Sequence, residues 1–305
     1  MEFFKANTKI PFMRLSKYAA VFSAVLFIAS ITSLCVNGLN FGLDFTGGMQ
    51  IEVSYQQEAN LPQIRDELTK IGYAEKEVKS FGSVHDVMIT LPVKDQKQQT
   101  AVRTKVLQAL PNAKLEQVSF IGPQVGKELA NKGALAMIIA FLVTLIYVAM
   151  RFEYRFALSA ILALIHDPIL ILGIFSFFHI EFDLVSLAAV LTVIGYSIND
   201  TIVVFDRVRE NFRKVRRGSP KDIMDLSINQ TLSRTVITSG LTLLAVIALL
   251  VYGGPSLFGF SLALFIGILI GTYSSIYVAG ALAVAMGLKR ADFLPKPKTE
   301  LDARP

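Results

Sequence analysis

The stretch LAAVLTVIGYSINDTIVVFDRVRE, Leu187 to Glu210, sets Asn199 and Asp200 side by side in a run otherwise apolar enough to cross a bilayer. Placing a carboxylate in hydrocarbon costs about 3 kcal/mol on insertion scales, and acids kept there mark ion paths or polar interiors. Asp200 sits five to seven residues inside the boundary marked by Asp206 and Arg207, roughly 8–10 Å deep. Arg234 opens the next apolar run on the same side, so the two depths can match and the charges can pair. The chemistry open to such a pair is proton uptake and release by Asp200, biased by the Arg234 charge. Steps of three and four residues from Asp200 reach Tyr196, Ser197, Val193 and Ala189. From Arg234 they reach Gln230, Thr231, Thr238 and Leu241, which predicts an inward polar face on both helices. The plainer alternatives stay open: a cap or fixed salt bridge for Asp200, and a snorkelling side chain for Arg234.

His166 and Asp167 interrupt a third apolar run, followed at once by Pro168. A histidine beside a carboxylate can exchange a proton near neutral pH. Neighbours on a helix point about 100° apart, so a polar pair supporting a proline kink is an equal reading.

Elements of the right kind must hold these groups. Of 305 residues, 53% are hydrophobic and 18% charged, and mean hydropathy is +0.52, values of a polytopic membrane protein. Six segments approach the roughly 20 residues that a crossing needs: Tyr18–Asn37, Gly133–Met150, Phe156–Phe178, Leu184–Phe205, Leu232–Tyr252 and Phe258–Leu288. The last is long enough to tilt or to extend beyond the bilayer. The first follows four Lys/Arg, as a secretory signal would, but Leu34 spoils the small-residue cleavage pattern, which favours an uncleaved anchor.

Seven Lys/Arg lie between Arg207 and Lys221 and five after Leu288, whereas His179–Asp183 and Gly253–Leu257 carry none. The positive-inside rule then predicts that both termini are cytoplasmic. That distribution also explains the net charge of +6 without nucleic-acid binding, and leaves anionic lipid contact as a secondary role for the basic loop. The single cysteine, Cys35, excludes an intrachain disulfide. Ser219, Pro220 and Asp222 form a helix start, and Asp222–Gln230 is predicted to lie along the cytoplasmic surface before the fifth crossing.

Between the first two crossings, Gly38–Lys132 carries eleven basic and eleven acidic residues. Its alternating and helical periods run in the order βαββαβ: MQIEVSY, NLPQIRDELTKIG, KEVKSFGS, HDVMITLP, QQTAVRTKVLQALP and AKLEQVSFIGP. That order predicts a ferredoxin-like α+β domain. His85 stands without Cys or a second His and reads as a surface strand residue. The organisation is thus a six-helix membrane protein with one extracytoplasmic α+β domain. It comprises an arm (1–17), helix one (18–37), the domain (38–132), five helices (133–288) and a tail (289–305). In the sixth run Ala263, Gly267, Gly271, Ser275 and Ala279 recur every fourth residue, a spacing that lets helices approach closely, within the bundle or against a partner.

FGLDFTGG, Phe41–Gly48, directly follows the first helix, and IGPQVGKEL, Ile121–Leu129, directly precedes the second. With RFEYRFALSAILALIHD, GYSINDTIVVFDRVREN and LSRTVITSGLTLL they resemble, in order and over nearly the whole chain, the SecF family of SecDF protein-export subunits. The resemblance implies a relative of the RND transporters in the bacterial cytoplasmic membrane. It implies pairing with SecD, action beside the SecYEG channel, and use of the proton-motive force to help a translocating preprotein emerge. It also implies that the SIND aspartate, Asp200, and the SRT arginine, Arg234, couple protons. Asn199, Tyr196, Thr238, His166 and Asp167 are auxiliary candidates, and Gly42, Asp44, Gly47, Gly48, Gly122 and Pro123 are motif positions of structural weight. No nucleotide loop, metal cluster or nucleophile triad is visible, so neither an enzyme nor a cofactor beyond the proton gradient is expected. The competing readings are an RND-like exporter subunit for small molecules or lipids, and a purely structural subunit.

Overall fold

Apolar helices of bilayer length must bury their polar faces against one another, and the chain does so with six of them. The computed structural model describes residues 9–73, 78–93, 95–215 and 217–288. Among the described residues the long apolar helices number six: α1 (Ser16–Asn37), α5 (Pro123–Arg151), α6 (Tyr154–Phe177), α7 (Leu184–Lys214), α8 (Pro220–Tyr252) and the stretch Pro255–Ala285. The last is α9 (Pro255–Tyr273), a π-helical turn (Ser274–Ala279) and α10 (Gly280–Ala285). The protein is therefore a multi-pass membrane protein. α6, α7 and the sixth span form the buried centre, while α1, α5 and α8 leave apolar faces such as Val21, Leu142 and Leu244 exposed, as contact with lipid requires.

Several helices outrun the hydrophobic segments that announce them. α5 starts at Pro123, ten residues before the predicted crossing, because Gly122 stands extended at its N-cap and proline suits the first turn. α8 begins at the predicted Ser219 capping box, where the Ser219 hydroxyl accepts from the Asp222 amide and Asp222 answers from the Ser219 amide. It then runs unbroken to Tyr252, so Asp222–Gln230 is the first part of the fifth span and not a separate surface helix. The arm before α1 is tied to it: the Met13 amide donates to Asp225 at 2.8 Å and the Ile10 amide to Asn229 at 2.9 Å.

The inserted unit contains β2 (Gly48–Tyr55), α3 (Leu61–Lys70), β3 (Val78–Phe81), β4 (Ser83–Leu91), α4 (Gln99–Ala109) and β5 (Ala113–Ile121). The strands form one antiparallel sheet ordered β3-β4-β2-β5, with Met49 opposite Leu91 and Val53 opposite Val87. Alternation sends Met49, Ile51 and Val53 to one face, where they meet Ile64 and Leu68 of α3 and Val102 and Val106 of α4. Asn60 caps α3 by accepting from the Gln63 amide. His85 is exposed on β4. On the two inner strands, Asp86 of β4 is held low by the Ser83 and Ser54 hydroxyls, and burial drives the Tyr55 phenol of β2 up to about 12.

The uncovered sheet face and the loops of the bundle enclose a cleft of about 780 Å³. Gln50, Glu52, Met88 and Ser119 line its sheet side, and Glu181, Pro255 and Phe258 its bundle side. Lys79 pairs with Glu181 across it at 3.3 Å. Short strands β1 (Asn40–Phe41) and β6 (Glu181–Phe182) pair in parallel beside it and join the exit of α1 to the entry of α7.

Candidate functional site

The motif after α1 serves as a joint. The short helix α2 (Leu43–Thr46) places Asp44 so that its Oδ2 accepts from the Leu184 amide at 3.0 Å, capping α7 from another part of the chain. The Gly42 amide donates to the Phe182 carbonyl at 2.9 Å. Gly47 has φ +69°, and a Cβ there would meet Cα of Pro123 at 2.8 Å. Gly48, at φ +136°, would press its Cβ on the Leu91 carbonyl at 2.8 Å. The two glycines thus pin the sheet against the start of α5, in a backbone conformation that side chains disfavour. Gly47→Ala is expected to cost about 2 kcal/mol or more, since backbone and not a movable side chain blocks the methyl. Unfolding of the purified variant by SDS titration in mixed micelles measures it, and an unchanged midpoint would refute the clamp.

Inside the bundle Asp167 is fully buried on α6. Its Oδ1 lies 2.9 Å from His166 Nδ1, and its Oδ2 accepts from the hydroxyls of Ser197 on α7 and Ser274, the latter at 2.7 Å. Adjacent residues do touch here, and Pro168 is carried inside an unbroken α6. His166 stacks on Phe27 of α1 with centroids 6.0 Å apart, and its buried Nε2 has no partner among the described residues. A second polar bridge lies alongside: the Tyr196 hydroxyl donates to Ser239 of α8, which shares a hydrogen bond of 2.9 Å with Thr272 of α9.

Asp200 is one helical turn beyond Ser197 and only 4% exposed. Its face follows the predicted steps, since Ser197, Val193 and Ala189 are buried with it, whereas Asn199 points outward and is exposed. The Asp200 Oδ2 is buried and no hydrogen-bond donor reaches it among the described residues. Of the two buried aspartates, Asp167 has three side-chain partners, His166, Ser197 and Ser274, whereas the Asp200 Oδ2 has none among the described residues.

Arg234 corrects the expectation of an inward face. Arg234, Gln230, Thr238 and Leu241 are exposed, and α8 buries instead the stripe Ser227, Thr231, Thr235 and Ser239. No salt bridge joins Arg234 to Asp200 among the described residues. Thr235, like Asp200, has a buried oxygen without a partner among the described residues. Gly267 and Gly271 pack within the bundle: a Cβ on Gly267 would strike Val193 and one on Gly271 would press Ser197, and Ser275 is fully buried. The sequence did not single out Gly173 of α6, where a Cβ would come 2.6 Å from the Ser30 backbone of α1. It also passed over the cage of Phe152, Phe156 and Phe205, which Arg209 closes by packing on Phe152 and pairing with Glu153 at 3.0 Å. Among the described residues no group of three or more His, Cys, Asp or Glu has the geometry to hold a metal ion.

Two family models match the chain: protein export membrane protein SecD/SecF, C-terminal, over residues 101–289, and the SecD/SecF GG motif over residues 32–59. The protein translocase subunit SecF of Vibrio alginolyticus is 49% identical over 99% of this chain and 98% of its own length. That of Pseudomonas aeruginosa is 46% identical over 97% and 98%. The crystal structure of SecDF, a translocon-associated membrane protein from Thermus thermophilus, superposes with a TM-score of 0.85 at 36% identity over 93% of this chain. This chain spans 39% of that longer one. SecDF in a super-membrane-facing form matches the same share with a TM-score of 0.70.

Proposed function

Because this chain belongs to the SecD/SecF family of protein-export membrane proteins and is a SecF-type subunit, we propose that it works with a SecD partner as an accessory of the Sec translocase, drawing on the proton-motive force. Asp200 is the observation that carries the reading. It is a carboxylate buried in a membrane helix, with one oxygen that meets no donor among the described residues, and Arg234 lies on the neighbouring span. Such a group can take up and release a proton with little rearrangement of fixed bonds. One proton moving through 100 mV supplies about 2.3 kcal/mol, enough to shift a modest conformational equilibrium. A related SecDF has been solved in a super-membrane-facing form, which supports a family fold that takes a named membrane-related form.

The inserted unit is read as an extracytoplasmic ferredoxin-like domain, supported by its βαββαβ order and its β3-β4-β2-β5 sheet. The chain is read as a bacterial inner-membrane protein with both termini cytoplasmic, a reading that the positive charge of its loops supports. In this reading the translocating preprotein and the SecYEG channel are the working partners, and no cofactor or covalent chemistry is needed. The exposed Arg234 face of α8 then meets SecD, because a guanidinium inside a bilayer needs a polar or protein neighbour.

Co-purification from native membranes tests the partnership: the chain should bring down a SecD subunit, and a chain recovered alone would overturn it. Arg234→Gln is expected to lower that recovery by about tenfold while the isolated chain still folds, since the side chain it replaces is exposed on α8. Retained recovery would return Arg234 to the snorkelling reading.

A further inference from the structure

The sixth span changes helical type in mid-membrane. From Ser274 to Ala279 it takes π-helical form, one residue more per turn than the α-helix on either side requires. Such turns are rare because they pack their own backbone less well, so something outside the helix must hold this one. The residue that opens it is the one Asp167 grips: the fully buried Ser274 donates to Asp167 Oδ2 at 2.7 Å. Ser197 of α7 donates to that same oxygen. The two serines can share it because Gly271 has no side chain where Ser197 sits, a Cβ there falling 3.1 Å from that of Ser197. Ser274 also reaches its own helix, at the Gly271 carbonyl 3.2 Å away, whereas the equally buried Ser275 bonds, among the described residues, to the Thr272 carbonyl of its own helix alone.

The turn is also connected outward. The Tyr273 hydroxyl, one residue before it, donates to the Ala19 carbonyl at 2.8 Å and shares a hydrogen bond with Ser23, both on α1. Tyr277, inside it, packs edge-on against Phe12 of the arm. Beyond the turn Gly280 lies against Met13 and Met224. Helix α1 continues through β1 into the sheet, so whatever moves this turn pulls on the element that leads to the inserted unit.

We propose that Ser274–Ala279 is a register switch in the sixth span, held in its π-helical state by the Asp167–Ser274 hydrogen bond and read out by α1 and the arm through Tyr273 and Tyr277. Asp167 is then a positioning residue. It fixes how α10 faces the bundle, and loss of its grip lets the span return to α register, turning everything beyond by about 100°. The proposal rests on this geometry and does not require that Asp200 carry protons.

Two cysteine pairs in the full chain bearing Cys35→Ser read the register. Met13→Cys with Gly280→Cys lies beyond the turn, and Ser239→Cys with Thr272→Cys, which replaces two hydroxyls 2.9 Å apart, lies before it. Each is treated in proteoliposomes with a short bis-thiosulfonate. Adding Ser274→Ala is expected to cut the 13–280 crosslink by about tenfold, as loss of one charge-assisted hydrogen bond allows, and to leave 239–272 intact. Ser275→Ala should change neither. Asp167→Asn should keep both, since an amide oxygen still accepts the two hydroxyls. An unchanged 13–280 yield in Ser274→Ala would overturn the proposal, and so would an equal loss in Ser275→Ala. Loss of both crosslinks in Ser274→Ala would overturn it too, because the serine would then support the whole bundle and not the turn.

Discussion

Asp200→Asn is expected to remove the proton-driven part of export, a fall of about tenfold or more in that increment, while the subunit still folds and assembles. The substitution keeps the volume of a side chain that is only 4% exposed, so no cavity opens in the bundle. It breaks no bond at Oδ2, because that oxygen accepts none among the described residues. What it removes is the ability to exchange a proton. A single charge driven through 100 mV is worth about 2.3 kcal/mol, or a bias of about fiftyfold between two conformations. Without it the equilibrium is left where binding alone sets it. Export into membrane vesicles, measured with a proton gradient and again after an uncoupler, isolates the increment. Asp200→Glu should keep part of it, since the carboxyl survives in a displaced position. Full stimulation in the asparagine variant, with normal assembly, would leave the purely structural subunit as the better reading.

Much of this arrangement was legible in the chain because hydrocarbon is a strict solvent. Six apolar runs mark six crossings, and the order of alternating and helical periods between Gly48 and Ile121 gives the strand and helix sequence that the sheet displays. Helix ends were less legible. Hydropathy stops at the lipid boundary, whereas α5 and α7 continue through polar residues at Gln124–Lys132 and Asp206–Lys214. The burial of Asp200 followed from its neighbours, since α7 has one polar stripe in that region and it contains Ser197. α8 has two, one through Gln230, Arg234 and Thr238 and another through Thr231, Thr235 and Ser239, about 100° apart. Nothing in residue type says which of them the bundle takes. It takes the stripe of small hydroxyl residues, which can be buried at low cost by bonding to their own helix, as Thr231 does with the Ser227 carbonyl. The His166–Asp167 contact depends on side-chain rotation, and the π turn lies in a run where every register is apolar enough to bury. Periodicity is silent about both.

The small-residue stripe of the sixth span leads to the other large effect. Gly267 faces Val193 so closely that a Cβ would fall 2.2 Å from one valine methyl and 2.7 Å from the other. Both residues sit in the packed centre of the bundle, so neither helix can retreat without disturbing Val190, Leu264 and Ile268 around them. Gly267→Ala alone is therefore expected to destabilise by about 3 kcal/mol, the upper range for forcing a methyl into a full core. Val193→Ala alone should cost about 1–2 kcal/mol through the cavity it leaves. Combined, each change occupies or vacates the space the other disturbs, so the double variant should lie well below the sum, with a coupling of about 2 kcal/mol. SDS-titrated unfolding of the four proteins closes the cycle. Additive costs would mean that α7 and α9 do not meet at this pair. A strong negative coupling would instead establish that glycine is required at 267 by the valine opposite, and that the repeated small residues of this span are an internal seam on which the placement of Ser197, one turn further along, depends.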